Sequence, residues 1–215
     1  VSIAPEGRPF ILGAAGILLA LGVVAAVFGG WWFVPAGLWL PIALWVPWFF
    51  RDPPRSGPRG EHVVLAPADG RIVSVRRVAE PEIIGGEALR ISVFMSVFDV
   101  HVNRAPSDGT VTHRRYHRGA FLNASRDKAS EKNERMSLGI VTRRGPMVVR
   151  QIAGLVARRI VTDPQPGAPL RQGERLGLIR FGSRVDTFVP EGVEARVSPG
   201  DRVRAGVTVI AEWTT

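Results

Sequence analysis

Cysteine is absent from the 215 residues, which excludes disulfides, thiolate nucleophiles and Cys-ligated metals and leaves the redox compartment open. Lysine is nearly absent: Lys128 and Lys132 stand against 26 arginines. Imidazole is confined to His62, His101, His113 and His117. His113 and His117 are four apart, but Arg114, Arg115 and Arg118 crowd them with positive charge, so no metal site is expected. No His-Glu-x-x-His, phosphate-loop or Gly-x-Ser-x-Gly pattern occurs.

Charge itself is missing from one long stretch. From Pro9 to Phe50 no residue carries a charge, an amide or a hydroxyl, a composition that only a helix buried all round or lying in lipid tolerates. Phe10 to Phe28 is long enough to cross a hydrocarbon core of about 30 Å at about 1.5 Å per residue. Gly29, Gly30 and Pro35 then interrupt, and Ala36 to Phe50 carries Pro41 and Pro47. Trp31, Trp32, Trp39, Trp45 and Trp48 suit an interfacial belt. Residues 1–50 are therefore expected to form a membrane anchor, a helical hairpin with both ends on one side. The block is too long and its start too weakly basic for a cleaved signal peptide. Residues 51–60 read as a Pro/Gly/Arg linker, and Arg51, Arg55 and Arg59 assign this flank, with the domain that follows, to the cytoplasmic side.

The net charge of +9 falls entirely beyond residue 50, since Arg8 and Glu6 cancel before it. A basic domain behind an apolar segment suits anionic lipid headgroups. Nucleic acid is not expected, because no zinc-finger spacing, RNA-binding aromatic pair or long basic run is present.

From Glu61 the hydrophobic period becomes two. Strands are expected around Val63–Leu65, Arg71–Val75, Ala88–Met95, Met147–Ile152 and Val156–Val161, with Gly-punctuated hairpins at Arg171–Gly177 and Pro199–Gly206. The expected fold of residues 61–215 is mainly β, a compact barrel or sandwich of short strands with lipoyl-like hairpins. Asn123–Glu134 is a polar, helical or irregular insert that contains both lysines.

Three positions could carry chemistry. Asp69 lies in the turn Ala66-Pro67-Ala68-Asp69-Gly70, where an aspartate ordinarily caps backbone N–H groups. His101 follows a strand in the segment Asp99 to Pro106. Ser183 follows Gly182 in Phe181-Gly182-Ser183-Arg184, a sequence that by itself reads as a turn between strands.

These segments, with Gly119-Ala120-Phe121-Leu122-Asn123 and Asn133-Glu134-Arg135, occur in the order found in the phosphatidylserine decarboxylase proenzymes. The chain resembles their short bacterial and archaeal-type form over essentially its whole length. The resemblance implies a self-cleaving enzyme in which Ser183 attacks the Gly182 carbonyl and β-elimination then leaves a covalent pyruvoyl group derived from Ser183. Residues 1–182 become a β chain and residues 183–215 an α chain. The pyruvoyl ketone then forms a Schiff base with phosphatidylserine in the membrane, and carbon dioxide loss yields phosphatidylethanolamine.

Asp69 and His101 match positions that the family associates with catalysis or maturation. Longer members carry a second histidine where this chain has Arg104, which stays protonated and is a poor base. The resemblance therefore leaves Arg104, Asn103, His62 and His117 as candidates for substrate binding or maturation. The αβ units are expected to assemble with one another. An ether-linked substrate, archaetidylserine, fits the same serine chemistry. A tethered lipoyl-like carrier is the alternative of another class, although it needs a lysine on a β-turn. A tethered metallohydrolase is disfavoured by the sparse ligand set.

Overall fold

The computed structural model describes residues 2–122, 132–154, 159–180 and 182–214. The chain divides into two units, Val1–Pro54 and Arg55–Thr215.

The first unit is a helical hairpin. β1 (Ser2–Ile3) leads through a short 3-10 turn into α1 (Arg8–Phe28), and α2 (Phe33–Phe49) returns to β2 (Arg51–Asp52). Gly29 and Gly30 make the reversal at φ +61° and +52°, a region that glycine enters without the Cβ penalty. β1 pairs antiparallel with β2, Ser2 opposite Asp52, so the chain enters and leaves the hairpin at the same end. The Trp39 indole donates to the Ala14 carbonyl at 3.0 Å, and Phe10 stacks on Phe50. Large apolar side chains face outward all round, Leu12 at 73% and Trp31 at 88% exposure. Pro5–Phe28 and Gly30–Phe49 are long and apolar enough to cross a membrane. An outward apolar surface of this extent associates the hairpin with lipid.

The second unit is mainly β, a sandwich-like arrangement of curled sheets. Its strands are β3 (Val63–Leu65), β4 (Gly70–Glu80), β5 (Gly86–Met95), β6 (Val102–Arg104), β7 (Gly109–His117), β8 (Arg135–Thr142) and β9 (Gly145–Ala153). There follow β10 (Ile160–Thr162), β11 (Pro169–Leu170), β12 (Arg175–Ile179), β13 (Ser183–Pro190), β14 (Val193–Ala195), β15 (Arg202–Val203) and β16 (Val209–Trp213). Eight of them form the main sheet in the order β11-β7-β8-β9-β13-β5-β4-β15, flanked by β10-β12-β6 and β14-β16-β3. β4 and β5 span 11 and 10 residues. Most of the insert Asn123–Glu134, including Lys128, and the beginning of the expected strand Val156–Val161 lie outside the described residues.

Alternation along the strands sets two faces. Val185 and Val189 of β13 join Val93, Ile91, Val149 and Leu138 in the principal core. Phe188 turns the other way, into a second cluster with Ala88 and Val148. Residues 55–60 lie against the β domain: Arg55 pairs with Asp69, Arg59 donates to the Gly206 carbonyl and the Gly60 N–H donates to Gln172.

Candidate active site

Ser183 opens β13, the strand between β9 and β5, opposite Ala153 on one side and Met95 on the other. Its alternation with Val185 turns the side chain to the core face. The residue is fully buried, and its hydroxyl makes no hydrogen bond to the described residues. A buried hydroxyl without a partner is costly to keep, and Ser183 shares this state with Ser74 and Thr187 among the described residues. Gly182 has φ +56°. No described atom lies within 4 Å of where its Cβ would stand, so backbone conformation rather than crowding favours glycine here.

His101 is fully buried in the loop that follows β5. Its Nδ1 lies 3.0 Å from the Asp99 carbonyl oxygen. A carbonyl can only accept, so Nδ1 carries the proton and Nε2 of the neutral ring is the basic nitrogen. The Asp99 carboxylate accepts the Ser96 N–H and hydroxyl, both at 2.8 Å, which stiffens the turn between Met95 and His101.

Asp69 has both carboxylate oxygens engaged, Oδ1 by the Ala205 N–H at 2.8 Å and Oδ2 by the Arg55 guanidinium at 2.6 Å. The turn that carries it runs beside the His101 segment, since the Arg104 N–H donates to Pro67 and the Leu65 N–H to Pro106. It enters β4 two strands from Ser183, roughly 10 Å at ordinary strand spacing. Arg104 points to a neighbouring loop, where its guanidinium donates to the Gly173 carbonyl at 3.2 Å.

Asn103 belongs to a buried polar chain. Thr162 donates to Gln151 at 2.6 Å, Gln151 to Asn103 at 2.8 Å, and Asn103 to the Met95 sulfur at 3.6 Å. Gln151 stands opposite Val185, one diagonal step from Ser183, so this chain passes beside the serine. On the same edge, the buried Asn133 donates to the Ala153 and Leu122 carbonyls and accepts the Leu122 N–H.

His62 and His117 lie elsewhere. His62 is an exposed turn residue whose carbonyl accepts the Trp213 N–H, beside the β3–β16 pairing. His117 ends β7, and register carries it through Arg135 and Ile152 to Arg184, three strands away. Burial, and then the Arg135 charge, hold its pKa below the ordinary imidazole value. No cluster of metal-ligating side chains occurs among the described residues.

Sequence reading missed Gln151 as a partner of Asn103, and missed Arg184 and Asp186. Two charged residues at alternate positions, Arg184 and Asp186, in the mostly apolar stretch Arg184 to Val189 were the available clue to the second pair.

The fold and the site together define a β domain behind an apolar helical hairpin, with a buried serine heading a central strand. A family model described as phosphatidylserine decarboxylase matches residues 42–211. A phosphatidylserine decarboxylase proenzyme of Symbiobacterium thermophilum is 53% identical over 211 residues, covering 97% of this chain and 94% of the relative. That of Nitrosomonas eutropha is 52% identical over 213 residues, covering 98% and 95%, and that of Burkholderia mallei 50% over 211 residues, covering 98% and 94%. The chain belongs to the phosphatidylserine decarboxylase family.

Proposed function

We infer that the protein is a carboxy-lyase that converts phosphatidylserine to phosphatidylethanolamine and carbon dioxide, using a pyruvoyl group made from its own Ser183. The observation that carries this reading is the buried Ser183 hydroxyl, bonded to none of the described residues, directly after a left-handed glycine, in a chain of this family. That serine is suited to the group: a side-chain oxygen held from water and uncommitted to any described residue is free to attack the preceding carbonyl.

The scission balances as follows. The Ser183 oxygen adds to the Gly182 carbonyl carbon, the C–N bond breaks, and an ester replaces the amide while the serine nitrogen becomes an amine. Loss of the Ser183 α-proton expels the Gly182 carboxylate, and one water then releases ammonia from the dehydroalanine. Residues 1–182 and 183–215 remain as the β and α chains. Once formed, the pyruvoyl ketone supplies an electron sink for the substrate's amino acid headgroup.

The chain's own residues supply the rest. With Nδ1 committed to Asp99, Nε2 of His101 is the nitrogen that takes and returns protons, and in the absence of a second histidine at position 104 it serves both maturation and turnover. Asp69 acts through its turn, tying Arg55 and Ala205 beside the His101 segment. Asn103 and Gln151 hold Met95 opposite Ser183. Arg104, tied to the Gly173 carbonyl, serves as a structural cation.

The substrate's acyl chains stay in the bilayer, since withdrawing them costs about 0.8 kcal/mol per CH₂. The N-terminal hairpin keeps the β domain at the membrane, and the arginines after it set that domain on the cytoplasmic face.

Intact-mass measurement of purified protein, with decarboxylation assayed on phosphatidylserine vesicles, tests the reading. Two fragments are expected, the smaller lacking a free amine. Ser183→Ala should leave one inactive chain of 23.4 kDa. An active, uncut wild-type chain bearing an ordinary serine at 183 overturns it.

A further inference from the structure

Ser183 has a charged neighbour in an unusual position. Arg184 is fully buried, on the face of β13 opposite the serine. Its Nε donates to Asp186 Oδ1 at 2.6 Å, and its terminal nitrogen donates to Ser92 Oγ at 2.7 Å and Asp186 Oδ2 at 3.3 Å. Asp186 is fully buried as well, and Ser92 stands opposite it on β5. Taking an ion pair wholly out of water is an inefficient way to gain stability, because an apolar pair of similar size commonly does as well. What the pair provides instead is a fixed geometry: a planar guanidinium fork held by a carboxylate and a hydroxyl admits little rotation.

The location gives that geometry a use. Fixing Arg184 fixes the backbone between Phe94 and Ile152, one residue from the scissile bond. After scission, residue 183 has lost its backbone N–H and its covalent lead-in from Gly182. The end of β13 then depends on its next residue. Ser92 lies in the fragment 1–182, whereas Arg184 and Asp186 lie in 183–215. The hydrogen bond from Arg184 to Ser92 therefore becomes a link between the two chains, one residue from the pyruvoyl group.

We propose that Arg184, oriented by Asp186 and anchored across the strand pair by Ser92, is the positioning residue that aligns Ser183 for scission and afterwards keeps the new chain end in register. The proposal rests on the Gly182–Ser183 junction inferred above.

Two full-length variants test it. Arg184→Leu/Asp186→Leu removes both members of the pair together, so neither is left to face the other's vacated site. Its thermal midpoint should stay close to wild type while splitting slows on the order of a hundredfold, the effect of a misplacement of about 1 Å. Ser92→Ala keeps the ion pair and removes only the interchain bond. Its split form should lose kcat on phosphatidylserine vesicles by about tenfold, the worth of a hydrogen bond to a charged group, at unchanged KM.

Wild-type splitting in a folded double variant overturns the alignment role, and wild-type kcat in split Ser92→Ala overturns the register role. If the double variant does not fold, Ser92→Ala decides, and wild-type splitting and kcat together then reject the proposal. Failure of the junction reading looks different: the wild-type chain itself yields no fragment beginning at residue 183, which removes the proposal's basis.

Discussion

The His101 imidazole donates a hydrogen bond from Nδ1–H to the carbonyl of Asp99, 3.0 Å away and two residues back in the same loop. Because this bond selects the tautomer, the basic nitrogen is Nε2, and the ring cannot exchange its two nitrogens without losing a hydrogen bond. His101→Ala should therefore lower decarboxylation by about 10²- to 10⁴-fold in protein that has already split. Turnover on phosphatidylserine vesicles checks this after the two fragments are verified by mass, and wild-type turnover by the split variant would remove His101 from the chemistry.

Gly182 isolates conformation from space. Its φ of +56° penalises any Cβ, while no described atom crowds the position. Gly182→Ala should cost about 1–2 kcal/mol of stability and slow splitting through displacement of the scissile carbonyl. Chemical denaturation of the Ser183→Ala background measures the first effect free of scission, and a mass time course in the native background measures the second. An unchanged stability and splitting rate would mean that the left-handed conformation is not required.

Asn133 is a buried brace beside Ala153, the residue paired with Ser183. Asn133→Ala removes two donated bonds and one accepted bond, leaving the Leu122 N–H and two carbonyls to find other partners. The expected loss is about 2–4 kcal/mol. Urea unfolding measures it, and a change below about 0.5 kcal/mol would show that these bonds are readily replaced.

His117 predicts a pH dependence of stability. Burial, the larger cause, and the neighbouring Arg135 charge lower its folded pKa below the unfolded value of 6.5. At neutral pH both states are largely unprotonated, so little free energy is at stake. As pH falls through 6.5 the unfolded chain binds a proton more readily than the folded one, and stability is lost until the folded pKa is passed. His117→Asn should flatten this decline as pH falls through 6.5. Parallel stability curves for variant and wild type would contradict the assignment.

Much was legible from local order. The uncharged run from Pro9 to Phe50 specifies apolar helices because lipid or complete burial is the only environment that tolerates it, and the double glycine marks their reversal. Alternation marks β5 and β9, since a strand with one face on a core must repeat every two residues. Ser183, by contrast, stood out only through the order of five short segments. Nothing within Phe181 to Arg184 distinguishes a reactive serine from a turn.

The sequence by itself determined that this protein has an apolar hairpin, a basic mainly-β domain and no cysteine chemistry, because composition and periodicity act locally along the chain. Only the tertiary structure decided that Ser183 heads a central strand between Met95 and Ala153, that Arg184 is buried against Asp186 and Ser92, and that His117 stands three strands away. Those relations depend on which strands pair and in what register. Pairing is settled by the packing of residues tens of positions apart, which no local pattern encodes.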